Sequence, residues 1–448
     1  MNSKNINKNR ISNFKNSDAY RKKIHDLIPG GAHTYSKGDD QFPLLSPAAI
    51  THGKGCHVWD ADGNEYIECL SGLASVSLGH AYLPVINRVI QELQKGSNFS
   101  RPSVLEGEIA EKFLDMVGVH DMIKFAKNGS VVTTAAVKLA RAYTGRKMVA
   151  CPQEHPFYSY DDWFIGSTPV QTGIPGEISG MTARFKADNL ESLRELFLQY
   201  PGQIACIIAE PEKFNKLPVD YLRDAIDLAH KNGALWIMDE MITGYHTHFP
   251  GAMSKYKVIP DMATWGKGIA NGFSFCCLTG KKEIMELGGI RKKGGEKLFL
   301  ISTTHGGETS GIAAALATMD EFKNHDVVNH CQKMGQRFMD GTKDILEQHN
   351  LQHSIKVHQF NWHVSLGYGD HTGENSFGLR TLFHQELIKR GVLFQGIFCP
   401  NFSHGETEVD RILSAIDDSC HIYKLGLEEG YEKYLIGEPI KPVFRKYI

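Results

Sequence analysis

Lys267 stands between Gly266 and Gly268 in MATWGKG, just past a short apolar run. Two other apolar runs end on acids, IIAEP on Glu210 and ALWIMDE on Asp239 and Glu240. FAKNGS passes into an apolar-periodic stretch from about Val131, which sets the amides of Gly129 and Ser130 at a helix start. Free N–H groups and the positive end of the helix dipole bind phosphate at such a start. Singly, each feature is ordinary. A lysine after a strand is usually solvated, a strand-end Asp is commonly a cap or turn former, and Asn-Gly-Ser turns are common. Together they are the parts that pyridoxal phosphate requires: a phosphate cradle, an acid to keep the pyridine nitrogen protonated and a lysine to form the Schiff base.

These groups acquire meaning from the elements that place them. In an open parallel sheet, ligands bind beyond the carboxyl ends of the strands. The middle of the chain alternates short apolar runs with amphipathic stretches, the pattern of an α/β domain. Strands are expected at Lys147–Cys151, Ile204–Ala209, Ala234–Met238, Met262–Thr264 and Phe273–Leu278, with helices at Leu190–Gln199 and Tyr221–Lys231. Apolar residues at 132, 135, 136, 139, 140 and 143 give the spacing of a helix packed on a sheet. VWDADGNEYIE reads as a hairpin about Asp-Gly. Beyond about residue 325, helical patterns return with strands near Ile355–Phe360, His363–Gly367 and Gly391–Phe394, and a helix over Glu406–Gly426. The polar first residues are expected to be a flexible lead-in, helical from about Asp18.

The 448 residues carry 49 Lys and Arg against 51 Asp and Glu, a formal net charge of −2. That balance argues against a nucleic-acid or anionic-membrane partner. No run of 18 uncharged apolar residues is present to cross a membrane, and the N-terminus lacks the apolar middle of a secretory signal. The nine cysteines form no C-x-x-C pair, and several lie in apolar runs where buried reduced thiols are the default. A cytoplasmic location follows as the expectation. Glycine, at 44 residues, exceeds the average of about 7% and clusters in short groups.

The order of motifs resembles the class III pyridoxal-phosphate aminotransferases, in particular the group related to glutamate-1-semialdehyde aminomutase. The resemblance runs from about Leu27 to Glu408 through IPGGAHTYSKG, VWDADGNEYIECLSGLASVSLGH, NGSVVTTAAVKLARAYTGR, IMDEMITGYH, PDMATWGKGIANGFSF and TTHGGETSGIAAA. It implies the fold-type-I architecture: a large domain with a mainly parallel sheet over 76–325, and a small α+β domain built from 1–75 and 326–448. It also implies a homodimer with shared active sites. Carried over by position, Lys267 is the Schiff-base lysine and the proton shuttle. Asp239 pairs with the pyridinium nitrogen, Met241 packs on one ring face, and Phe157 falls where a stacking Tyr is common. Gly129 and Ser130 bind the phosphate, Thr304 reaches it from the other subunit, and Glu210 lies near the phenolic oxygen or the substrate.

Several positions depart from the aminomutase pattern. Lys37 stands in place of an Arg that holds the substrate carboxylate, which removes bidentate recognition. His246 replaces an Arg, and Val131 replaces an acid that would favour the helix dipole. The residues after the lysine, GKGIANGFSF, and the stretch FQGIFCPNFSHGE also differ. These departures favour an aminotransferase working between a small amino donor and an aldehyde or keto acceptor. The alternatives are a glutamate-1-semialdehyde-type 2,1-aminomutase and a non-catalytic binding or scaffold protein of the same fold. Lys37, Arg101 and His246 are the candidate substrate contacts. His33, Tyr35, His155 and His305 lie on segments expected to line the site, and no metal is expected at His246-x-His248.

Overall fold

A computed structural model of the chain describes residues 10–213, 217–218, 220–291, 293–358 and 360–448. Residues 1–9 of the expected lead-in lie outside them, and its helix begins at Lys15, earlier than the expected Asp18, and runs to Ile24. Fourteen strands are present among the described residues. In chain order they are β1 Ile50–Lys54, β2 His57–Asp60, β3 Glu65–Glu68, β4 Met122–Ala126, β5 Met148–Pro152, β6 Thr182–Phe185 and β7 Ile204–Ala209. The rest are β8 Leu235–Asp239, β9 Met262–Trp265, β10 Cys276–Gly280, β11 Ile355–Val357, β12 Val364–Tyr368, β13 Val392–Leu393 and β14 Ile397–Phe398.

The chain divides into two compact units. One comprises 1–74, 78–82 and 329–443, and the other 75–77, 83–328 and 444–448. The first holds two small sheets, β1-β2-β3-β13 and β11-β12-β14. Its core gathers Phe338, Phe383, Phe398, Ile412, Ile416 and Tyr423, with the long helix Glu406–Glu429 supplying three of these side chains.

The second unit carries a seven-stranded sheet in the order β4-β10-β9-β8-β7-β5-β6. Strands β6, β5, β7, β8 and β9 pair in parallel. β5, β7, β8 and β9 are buried at every position, which is why they read as unbroken apolar runs rather than alternating ones. The helix Gly129–Thr144 buries Val132, Ala135, Ala136, Leu139 and Ala140, as the spacing predicts, while Tyr143 in its last turn is exposed. Gly145 ends it in a left-handed conformation, φ +69°.

The expected strand Phe273–Leu278 requires correction. Asn271 and Gly272 both have positive φ, Phe273 bonds back to Ala270, and the strand begins only at Cys276. This short return makes β10 antiparallel to β9, since a parallel neighbour needs a long crossover, and β10 also pairs antiparallel with β4. The expected strand to Phe360 ends at Val357, and Gln359 lies outside the described residues.

Asp261 ties the sheet together just before β9. It is 3% exposed, accepts from Trp236 N at 2.7 Å and Lys281 Nζ at 2.6 Å, and pairs with His230 Nε2 at 2.8 Å. Burial pushes its carboxyl up, but His230, Lys281 and the Trp236 amide outweigh this and hold it below the usual range. A depressed carboxylate stabilises the fold above its unfolded value near 4, and that contribution disappears as pH falls through the folded value. Asp261→Asn is therefore expected to cost about 3 kcal/mol in urea unfolding at neutral pH. It should also flatten the acid limb of the stability profile.

Candidate active site

All the features singled out at strand ends fall within the second unit. The helix Gly129–Thr144 begins with Asn128 Oδ1 accepting from Val131 N at 3.0 Å. Its first turn holds no acid, because Val131 occupies that place. The order of this end therefore comes from the Asn128 cap, and the positive end of the dipole stays open to an anion. Ser130 is buried, and its Oγ accepts from Tyr160 N at 3.1 Å.

Asp239 ends β8 and is 3% exposed. Its Oδ1 accepts from Thr264 Oγ1 at 2.8 Å and Met241 N at 3.0 Å. Burial, and then the charge of Glu210, raise its carboxyl above the usual range against the pull of those bonds and of Lys267. Glu210 follows β7, is also buried, and accepts from Lys213 Nζ at 2.9 Å. Burial would push Glu210 up, but Lys213, by its charge and its hydrogen bond, and then Lys267 hold it down, so it keeps its charge. Behind it, Glu210 N donates to Tyr158 Oη at 3.2 Å, and Tyr158 Oη pairs with His155 Nδ1. Tyr158 O also accepts from Thr133 Oγ1 at 2.9 Å, so the loop joins the cradle helix to Glu210. Burial holds His155 down to about 4, leaving it neutral.

Lys267 opens a short 3₁₀ turn with φ +49°, a left-handed conformation uncommon for a residue with a side chain. The glycines on either side are places of close approach. A Cβ on Gly266 would lie 2.3 Å from Met241 Sδ and 2.6 Å from Cys276 Sγ. A Cβ on Gly129 would lie 3.1 Å from Met241 Cε, so Met241 borders both the cradle and the lysine turn. On the far side, a Cβ on Gly268 would lie 2.5 Å from His246 Cε1, and Gly268 O accepts from Ser77 Oγ at 2.6 Å.

The candidate substrate contacts fall in different units. His246 is 5% exposed, lies 3.1 Å from Gly244 O through Nδ1, and is held down to about 4 by burial. His246 thus brings a neutral ring packed on Gly268 where an arginine would bring charge and reach. Its neighbour His248 is exposed, so the two histidines do not share an environment. Arg101 and Thr304 are exposed in the second unit, whereas Lys37 belongs to the first. Phe157 is 47% exposed, edge-on to Phe164 and stacked with Phe444 at 6.5 Å.

The class-III aminotransferase family model matches residues 35–358. The chain belongs to this family. A glutamate-1-semialdehyde 2,1-aminomutase of a Sulfurihydrogenibium species is 32% identical over 373 residues, covering 79% of this chain and 84% of the relative. Among solved structures, the Sphingopyxis FumI protein in its PLP internal aldimine form superposes with a TM-score of 0.84 at 22% identity, covering 92% of this chain and 97% of that one. An omega-transaminase from Sphaerobacter thermophilus superposes with a TM-score of 0.80 at 19% identity, covering 91% and 98%. These two share the fold-type-I architecture.

The cofactor of a class-III aminotransferase is pyridoxal phosphate, and the residues fit it. A buried carboxylate raised for want of a full positive partner suits a pyridinium N–H, and a helix start without an acid suits a phosphate. Cα hydrogens at 129 and 266 leave Met241 its place. Gly266→Ala is expected to displace Met241 or Cys276 and weaken cofactor binding about tenfold or more, roughly 1.4 kcal/mol. Gly176→Ala, where a Cβ meets nothing within 4 Å, should leave binding unchanged when both are titrated by absorbance. Because the Asp239 carboxyl is raised, its ionised form opposes folding of the cofactor-free chain at neutral pH. Asp239→Asn should therefore raise the apoprotein melting midpoint, by roughly 2 °C or more.

Proposed function

We propose that this class-III enzyme is an aminotransferase that moves an amino group between a small amino donor and an aldehyde or keto acceptor, with Lys267 as its catalytic lysine. The observation that carries this reading is the buried Asp239, beside Glu210 and acting on Lys267, at the carboxyl ends of adjacent parallel strands. When bound, the cofactor supplies an aldehyde carbon that accepts the amino group and a ring that takes up electrons. Asp239 holds a proton on the ring nitrogen, and Thr264 and the Met241 amide fix the carboxylate for that purpose. The N–H groups of Gly129 and Ser130 bind the phosphate, aided by Thr304 of the partner subunit in a homodimer. Met241 and Phe157 would flank the ring, and Glu210 would lie near the phenolic oxygen or the substrate. Lys267 would hold the cofactor through its Nζ and, when that amine is free, would carry the transferred proton.

Arg101 and Lys37 are the cations available for a substrate carboxylate or phosphate. Lys37 cannot grip a carboxylate with two parallel bonds as an arginine does, which favours transfer between two substrates over isomerisation of one. The name of the Sulfurihydrogenibium relative favours a second reading, a 2,1-aminomutase acting on a glutamate-1-semialdehyde-like compound. The intact pair Lys267 and Asp239 speaks against a non-catalytic scaffold. All nine cysteines are buried and unpaired, which supports a cytoplasmic setting, and no described helix is long and apolar enough to cross a membrane.

The test is to load the protein with pyridoxal phosphate and titrate single amino donors. Conversion to the pyridoxamine form with release of a carbonyl product is the expected outcome. An isomerised product with no carbonyl compound released would establish the aminomutase instead. Asp239→Asn should lower turnover by on the order of 100-fold or more. Normal turnover by Lys267→Ala would overturn the mechanism.

A further inference from the structure

Lys267 holds a left-handed backbone, and the segment after β8 reaches it twice. Met241 covers Gly266 from one side, and His246 covers Gly268 from the other. Both side chains come from residues 239–246, the stretch that also supplies Asp239. That stretch is pinned by Glu240, whose buried carboxylate accepts from Met253 N at 2.7 Å, Ala252 N at 3.0 Å and Thr243 Oγ1 at 2.5 Å. His246 is held in turn by the Gly244 carbonyl, and the ring has little room to move without striking Gly268.

We propose that His246 is a positioning residue for Lys267, clamping the lysine turn from the Gly268 side as Met241 clamps it from the Gly266 side. This rests on Lys267 being the cofactor-bearing lysine. The charge of the clamp matters as well as its shape. Titratable groups acting on Lys267 include Asp239 at the end of β8, Glu210 after β7, Cys276 at the start of β10, and His246. Burial pushes the Cys276 thiol up to about 12 and His246 down to about 4, so both are neutral near pH 7. The two carboxylates therefore act on the lysine unopposed by a cation at position 246. A cation there would make the proton on its nitrogen easier to lose.

Two variants separate geometry from charge, read by pH titration of the absorbance band of the cofactor-loaded protein alongside kcat and KM. His246→Asn keeps a neutral donor but shortens the clamp. It should lower kcat about tenfold with KM little changed, and leave the band's titration midpoint in place. His246→Arg adds a cation and should move that midpoint down by about one unit or more. If His246→Arg does not fold, the kcat and KM split of His246→Asn decides alone. Wild-type kcat in a folded His246→Asn would overturn the clamp, and an unmoved midpoint in a folded His246→Arg would overturn the role of charge. Persistence of the band in Lys267→Ala would remove the reading of Lys267 itself, independently of either result.

Discussion

Burying two carboxylates side by side is the constraint on which the second unit is organised. Asp239 and Glu210 end neighbouring parallel strands, so the topology brings their charges together whatever else happens. Taking charged groups out of water is costly unless they are paired. Glu210 meets this with Lys213 and remains ionised, and its charge then falls on Asp239, which has hydrogen bonds from Thr264 and Met241 but no ion pair among the described residues. The site thus holds an acid whose electrostatic need is for a cation, next to a lysine. In the proposed function a protonated pyridine ring would meet that need, and the apoprotein would give up some stability to keep the position ready.

The lysine turn is the second half of the same arrangement. A side chain at φ +49° is costly to hold, and such conformations persist when their surroundings fix them. Here the fixing is done across two glycines, whose missing Cβ atoms let Met241 and His246 close on the turn. Asp239, Met241 and His246 lie within eight residues, so one segment supplies the acid and both side chains that border the lysine turn. Glu240, fully buried between them, anchors that segment to the backbone of the following helix. A disturbance at Glu240 would reach all three at once.

Much of this was legible in the chain because strand ends in a buried parallel sheet announce themselves. Glu210, Asp239 and Lys267 each break an apolar run, and Gly129 and Ser130 precede a clean helical stripe. β10 was harder, because Phe273 to Phe275 are as apolar as the strand they precede and only the conformation at Asn271 and Gly272 shows that they form a turn. Thr264 was counted as strand alone, since nothing local reveals that its hydroxyl faces Asp239. The pairing of His155 with Tyr158, and of Tyr158 with Glu210, joins loops 52 residues apart and has no local pattern. Lys213 did leave a signal, an opposite charge three positions after Glu210. Burial decides the charge of His246, and the sequence around it does not display that burial.

The account stands on Lys267 being the residue that joins the cofactor. Reducing the pyridoxal-phosphate-loaded protein with borohydride and mapping the modified peptide by mass spectrometry addresses this directly. The account predicts one phosphopyridoxyl group per chain, on the peptide that contains Lys267. A label on Lys127 or Lys213, the other lysines close to the cradle and to Glu210, would contradict it.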